Sequence, residues 1–130
     1  MTDPARQVTV EDIRKLALPL GTRVVAGDGL LQRVVSWTTV IYPDDRTSTK
    51  NLQNDEMILV APRETTFSRT STDVEIIRWA FDNQAAAVVL SDNPSSTAIA
   101  EANAYGIPVL MLPGGARPRL VEKQIVSLLV

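Results

Sequence analysis

The 130-residue chain contains no cysteine and no histidine. These two absences exclude more than any motif does. There is no Cys nucleophile, no Ser-His-Asp triad, no zinc site built from Cys or His, and no His general base. A disulfide framework and a thiol switch are excluded as well, so cysteine usage says nothing of the redox compartment. Aromatic residues make up only 5%. A basic excess is missing too: 13 Lys and Arg stand against 15 Asp and Glu, for a net charge of -2. Nucleic-acid binders carry a basic excess or a basic face, so no direct nucleic-acid binding is expected. No apolar run approaches the roughly 20 residues of a membrane helix. Residues 1–7 are polar and lack the apolar core of a signal peptide. A cytoplasmic location away from membranes is therefore expected.

What is present is ordinary globular composition, 45% hydrophobic. The length suits one domain spanning 1–130. It suffices to bury about two-thirds of the surface exposed by the unfolded chain, so folding needs no disulfide or metal, and nothing in the sequence calls for a cofactor.

Two unequal parts follow one another. In the first, 9–42, Thr9 with Asp12 three residues on approaches a capping box. A short helix through Ile13 and Leu16 should stop before Pro19 and Gly21. Arg23 to Ala26 reads as a short strand and Gly27-Asp28-Gly29 as a turn. Residues 34–41, rich in β-branched side chains around Trp37, read as a longer strand, hairpin-paired with the first. A polar connector occupies 43–54. In the second part three continuous apolar runs, 57–61, 86–90 and 107–112, read as parallel strands covered on both faces. Helical periodicity follows each: Val74, Ile77, Ala80 and Phe81; Ala98, Ile99, Ala102 and Tyr105; Val121, Ile125, Leu128 and Leu129. Gly106 sits where a helix C-terminal glycine belongs. Pro108 cannot donate to a ladder, which places the bonded part of the last strand from Val109 onward. The expected fold is α/β: an N-terminal helix and β-hairpin, then three βα units forming a mainly parallel sheet flanked by helices.

Ligands of open parallel sheets bind at the carboxyl ends of strands, beside helix N-termini that suit anions. Three polar loops qualify. Residues 62–73 contain Arg63, Thr65 and Arg69; 91–96 contain Ser91, Asn93 and Ser95; 113–119 contain Gly114, Gly115 and Arg117. Arg63 or Arg69 would pair an anionic group and Arg117 would add a second contact. Ser91, Asn93, Ser95 and the Gly114-Gly115 backbone would supply hydrogen bonds. The competing reading is that such residues only cap helices and close turns. Other motifs fail. Gly27-Asp28-Gly29 is followed by Gln32 where a dinucleotide fingerprint needs glycine, and no Lys-Ser/Thr follows Gly114-Gly115. Asp44-Asp45 and Asp55-Glu56 read as solvated pairs rather than Mg²⁺ ligands. Trp37 and Trp79 read as core residues. Without a catalytic constellation the chain is expected not to be an enzyme.

Four stretches in order carry a family resemblance. Thr9-Val10-Glu11-Asp12-Ile13 looks like an opening Thr-Val-x-Asp-Leu. Val24-Val25-Ala26-Gly27, Leu30 and Arg33-Val34-Val35-Ser36-Trp37 look like Val-Val-Ala-Gly…Leu…Arg-Pro-Val-x-Trp. Leu52 to Leu59 resembles Leu-x-Gly-Gly-Glu-Leu-Val-Leu, with Asn54-Asp55 in place of the glycines. Gly106-Ile107-Pro108-Val109-Leu110 with Leu112-Pro113 resembles Gly-Ile-Pro-Leu-Ile-x-Leu-Pro. Together they resemble the N-terminal domain of the purine catabolism regulator (PucR-like) family of bacterial transcription regulators. The resemblance implies a regulatory input domain, usually ahead of a helix-turn-helix output domain, that senses a small-molecule effector without catalysis. A homodimer is the expected assembly. The alternative is a purely structural dimerisation or docking module, using Leu120, Ile125 and Leu129 on the last helix as an exposed surface. A small Mg²⁺-dependent enzyme is the remaining reading.

Overall fold

The structure, a computed structural model, describes residues 7–42, 53–62 and 72–130. Helix α1 (Val10–Leu16) begins at the capping box its sequence announces. The Thr9 hydroxyl accepts from the Asp12 N–H (3.1 Å) and the Asp12 carboxylate accepts from the Thr9 N–H (2.9 Å). Strands β1 (Arg23–Ala26), β2 (Trp37–Ile41), β3 (Glu56–Val60), β4 (Ala87–Leu90) and β5 (Val109–Met111) form one sheet in the order β1-β5-β4-β3-β2. Strands β2 to β5 are parallel, and β1 runs antiparallel to β5. Helices α2 (Asp73–Asp82), α3 (Ser96–Tyr105) and α4 (Pro118–Leu129) complete the architecture. The mainly parallel α/β class expected from the apolar runs is therefore observed.

The hairpin is not. Strands β1 and β2 lie at opposite edges of the sheet. Gly27 takes a left-handed conformation (φ 66°) and a single 3₁₀ turn follows at Asp28–Leu30, so the chain is not folded straight back. It crosses instead beneath the amino ends of the strands. Val34 bridges Thr9, the Val10 N–H donates to the Arg33 carbonyl (2.9 Å) and the Val35 N–H to the Val8 carbonyl (2.8 Å). The partner of the 34–35 segment is thus the residues leading into α1, and β2 is delivered to the far edge. Trp37, the first residue of that edge strand, is 42% exposed rather than a core residue, whereas Thr38, Val40 and Ile41 farther along are buried.

The interior strand β3 is buried along its whole length, as a strand covered on both faces should be. Its side chains alternate between two cores. Met57 and Leu59 pack with Val10 and Ile13 of α1 and Val121 and Ile125 of α4. Ile58 and Val60 pack with Ile76, Ile77 and Ala80 of α2 and Ala98 and Ala102 of α3. The steps from β3 to β4 to β5 run in one direction, so both crossover helices cover the same face. Ile125, expected on an exposed surface, is fully buried, and Leu129 packs partly against the first core; of the three, Leu120 alone is exposed, at 56%. Among the described residues no helix is long and apolar enough to cross a membrane.

Candidate functional site

A cleft of about 310 Å³ opens at the carboxyl ends of β3 and β4. Its floor is Val60, Ile76 and Leu90; its rim is Thr72, Asp73, Ser91, Asp92 and Asn93. The volume lies at the lower end of the range of small-molecule pockets, and an apolar floor beneath a few polar groups can accommodate such a ligand. The strands wind without reversal from β2 to β5, so there is no topological switch point to part the loops. The cleft is made instead by the first turn of α2 and the β4–α3 loop.

Local chemistry holds both walls. Thr72 caps α2, its hydroxyl accepting from the Glu75 N–H (3.1 Å), and Ser95 caps α3, its hydroxyl accepting from the Ala98 N–H (3.1 Å). Asp73 ties the two helix starts together. One carboxylate oxygen accepts from the Ser95 N–H (2.7 Å), the other from the Ser95 hydroxyl (3.2 Å) and from the Val74 N–H (2.8 Å). The α3 N-terminus, where an anion was expected, thus already has an anionic partner from the chain itself. The Ser91 hydroxyl donates to the Val60 carbonyl (2.7 Å) and fixes the β4 end against β3.

The expected site is divided by the fold. Ser91 and Asn93 line the cleft, and Ser95 stands behind it as a cap bonded to Asp73. Gly115 and Arg117 do not join them. They line a separate cavity of about 380 Å³ with Ala17, Pro19, Ala116 and Leu120, between the end of α1 and the start of α4. The reason is topological: α4 packs on the face opposite α2 and α3, so the β5–α4 loop, with Gly114 in it, turns away from the cleft. Arg63, Thr65 and Arg69 lie outside the described residues, as do Asp44 and Asp45. Sequence reasoning passed over the apolar floor and Asp73. The signal for Asp73 was its position one residue after a Thr cap, in the first turn of a helix, where acids are favoured.

Glu56 also departs from expectation. Its side chain is buried (5% exposed) rather than solvated. It accepts from the Thr39 hydroxyl and from the Gln53 N–H (2.6 Å), so the buried carboxylate is bonded on both oxygens. The adjacent Asp55 is exposed and left-handed, with φ 66°. Among the described residues there is no group of three or more acidic side chains placed to hold a metal ion.

No protein-family model matches the sequence, and no curated protein does. The fold is similar to that of the CBS and DRTGG domains of the regulatory region of a pyrophosphatase from Clostridium perfringens, solved in complex with its activator, diadenosine tetraphosphate. The likeness covers 90% of this chain and 47% of that one, with a TM-score of 0.57 and 12% sequence identity. This chain thus spans about half the length of that one, and at such identity the likeness shows a shared α/β fold alone.

Proposed function

We propose that this chain is a regulatory input domain that binds a small metabolite in the cleft between α2 and the β4–α3 loop and has no catalytic role of its own. The observation that carries the reading is the cleft itself, with Val60, Ile76 and Leu90 beneath a hydrogen-bonding rim. Its described lining holds carboxylates, hydroxyls and an amide. A hydrogen-bonding ligand such as a purine base or ureide suits these groups. The fold shared with part of a pyrophosphatase's regulatory region supports a sensing role.

The place we infer for such a domain is a bacterial transcription regulator of the PucR-like kind. Asp55 supports that resemblance physically. The pattern has glycine there, and the residue adopts a positive φ that glycine takes freely and Asp tolerates better than most residues.

A thermal-shift screen of the chain against purines, ureides, nucleotides and small carboxylic acids tests the reading. A ligand at 100 times its Kd adds about 2.7 kcal/mol, which raises Tm by about 10 °C in a domain of this size. Asn93→Ala and Ser91→Ala should shrink the shift, and Arg117→Ala should leave it intact, since Arg117 lines the other cavity. An undiminished shift in the Asn93 and Ser91 variants places the ligand elsewhere.

A further inference from the structure

We propose that the outer edge of β2, which no described strand pairs, is an interface between two copies of this chain, joined by antiparallel β2–β2 pairing into one continuous sheet. This inference is independent of the ligand cleft, which lies at the carboxyl ends of β3 and β4.

The two edges of the sheet are unlike. An edge strand offers unpaired N–H and C=O groups to any other strand, and proteins blunt such edges with charge, proline, bulges or shortness. Strand β1 has two of these devices: Arg23 within it and a register irregularity between Val24 and Ala26. Strand β2, Trp-Thr-Thr-Val-Ile, has no charge, no proline and an unbroken register against β3. It is also rich in β-branched residues, which favour pairing. Among the described residues nothing pairs with its outer side.

The main chain of β2 is self-complementary. The Ala61 N–H donates to the Ile41 carbonyl (2.9 Å). In a parallel ladder alternate residues turn their main-chain groups to a given neighbour. Thr39 and Ile41 therefore face β3, and Thr38 and Val40 direct their N–H and C=O outward. A two-fold axis through Thr39 sets Thr38 of one copy opposite Val40 of the other, twice. Each of these is a hydrogen-bonded antiparallel pair, and all four outward groups of each strand are used. The register also keeps faces matched. Thr38 and Val40 are both buried (2% and 6% exposed), and Val40 belongs to the core that α4 covers, so α4 of each copy extends the same helical layer.

The same register sets Trp37 of one copy opposite Ile41 of the other. The half-exposed Trp37 indole lines a cavity of about 670 Å³ together with Glu122, Lys123, Val126 and Ser127 of α4. An exposed tryptophan beside an open groove at a sheet edge is an anchor awaiting a surface. The helix beside it carries charges of both signs, Lys123 and a Glu122 paired with Arg119 (3.4 Å). With charges of both signs beside a main-chain edge complementary to itself, a second copy is the occupant the edge fits.

Sedimentation equilibrium of the full chain over a concentration series, with amide exchange read residue by residue, tests this. The expected result is a dimer whose formation slows exchange of the Thr38 and Val40 N–H groups as concentration rises, with no such change at Val25 of β1. Trp37→Lys, a change at an exposed position, should raise the dimer dissociation constant about tenfold or more while leaving the monomer folded. A chain that remains monomeric to about 1 mM overturns the proposal, as does a dimer in which Thr38 and Val40 exchange at unchanged rates.

Discussion

Gly27 cannot be anything else. Its φ is 66°, and a Cβ built there would lie 2.7 Å from the Ile107 carbonyl oxygen and from the Pro108 Cα. Its N–H also donates to the Asn103 side chain (2.9 Å). Gly27→Ala should destabilise by about 2 kcal/mol or more, because it meets backbone rather than a movable side chain; urea unfolding measures it. This glycine belongs to a failed dinucleotide motif, and its reason turns out to be the close approach of the segment entering β5. Asp73 is a second residue whose role lies in its partners. Asp73→Ala should cost about 1–2 kcal/mol by leaving the Ser95 N–H without its acceptor, with Thr72 still capping α2. At Glu101 the bonds from Arg78 (2.6 and 3.0 Å) are the chief cause that holds its carboxyl below the ordinary value of 4.5. A carboxyl depressed on folding adds stability that is complete above that ordinary value and is lost as pH falls through the depressed one. The Tm of wild type should therefore exceed that of Glu101→Gln near neutrality, and the two should converge in acid. A gap that persists in acid would assign the effect to packing rather than charge.

Helix α4 shows what periodicity can and cannot say about an element. Pro118 stands at its start, where a missing N–H costs nothing, and Val121 and Ile125 face the core. Ile125→Ala should destabilise by about 2–5 kcal/mol, whereas Leu120→Ala should change stability by about 0.5 kcal/mol or less; thermal or urea unfolding separates them. All four helices were legible as elements, from the Thr9–Asp12 box, the 3.6-residue spacing and the left-handed Gly106. What spacing misjudged was depth. Phe81 and Tyr105 share apolar faces by period, yet each is about 40% exposed, and their rings stack on one another with centroids 4.8 Å apart. Both lie in the last turns of neighbouring helices, where a pair of rings covers itself.

At the scale of the whole molecule, the strand order decided most of what reasoning along the chain misplaced. The Gly27–Leu31 turn and the β-branched 34–41 run satisfy the local description of a hairpin. Pairing of 34–35 with the residues before α1 removed that option and sent β2 to the opposite edge. From that one change follows the place of Trp37 at an edge that no described strand pairs. The same holds for the candidate site. Ser91 and Asn93 could be picked from a loop after an apolar strand, because the rule linking ligands to strand ends is local. That Gly115 and Arg117 would leave them depended on the face α4 takes, which no loop composition records.

By itself, then, the sequence determined the elements and their class. Continuous apolar runs, caps and helical periods are local properties, read from residues a few positions apart, and they suffice for a mainly parallel α/β domain with polar loops at its strand ends. Only the tertiary structure decided which strand lies at which edge, which loops share a cleft, and that Glu56 is buried between Thr39 and the Gln53 N–H. Those outcomes depend on contacts between distant segments, where the entropy of closing each loop is weighed against the apolar surface it buries, and a pattern confined to neighbouring residues carries no trace of that balance.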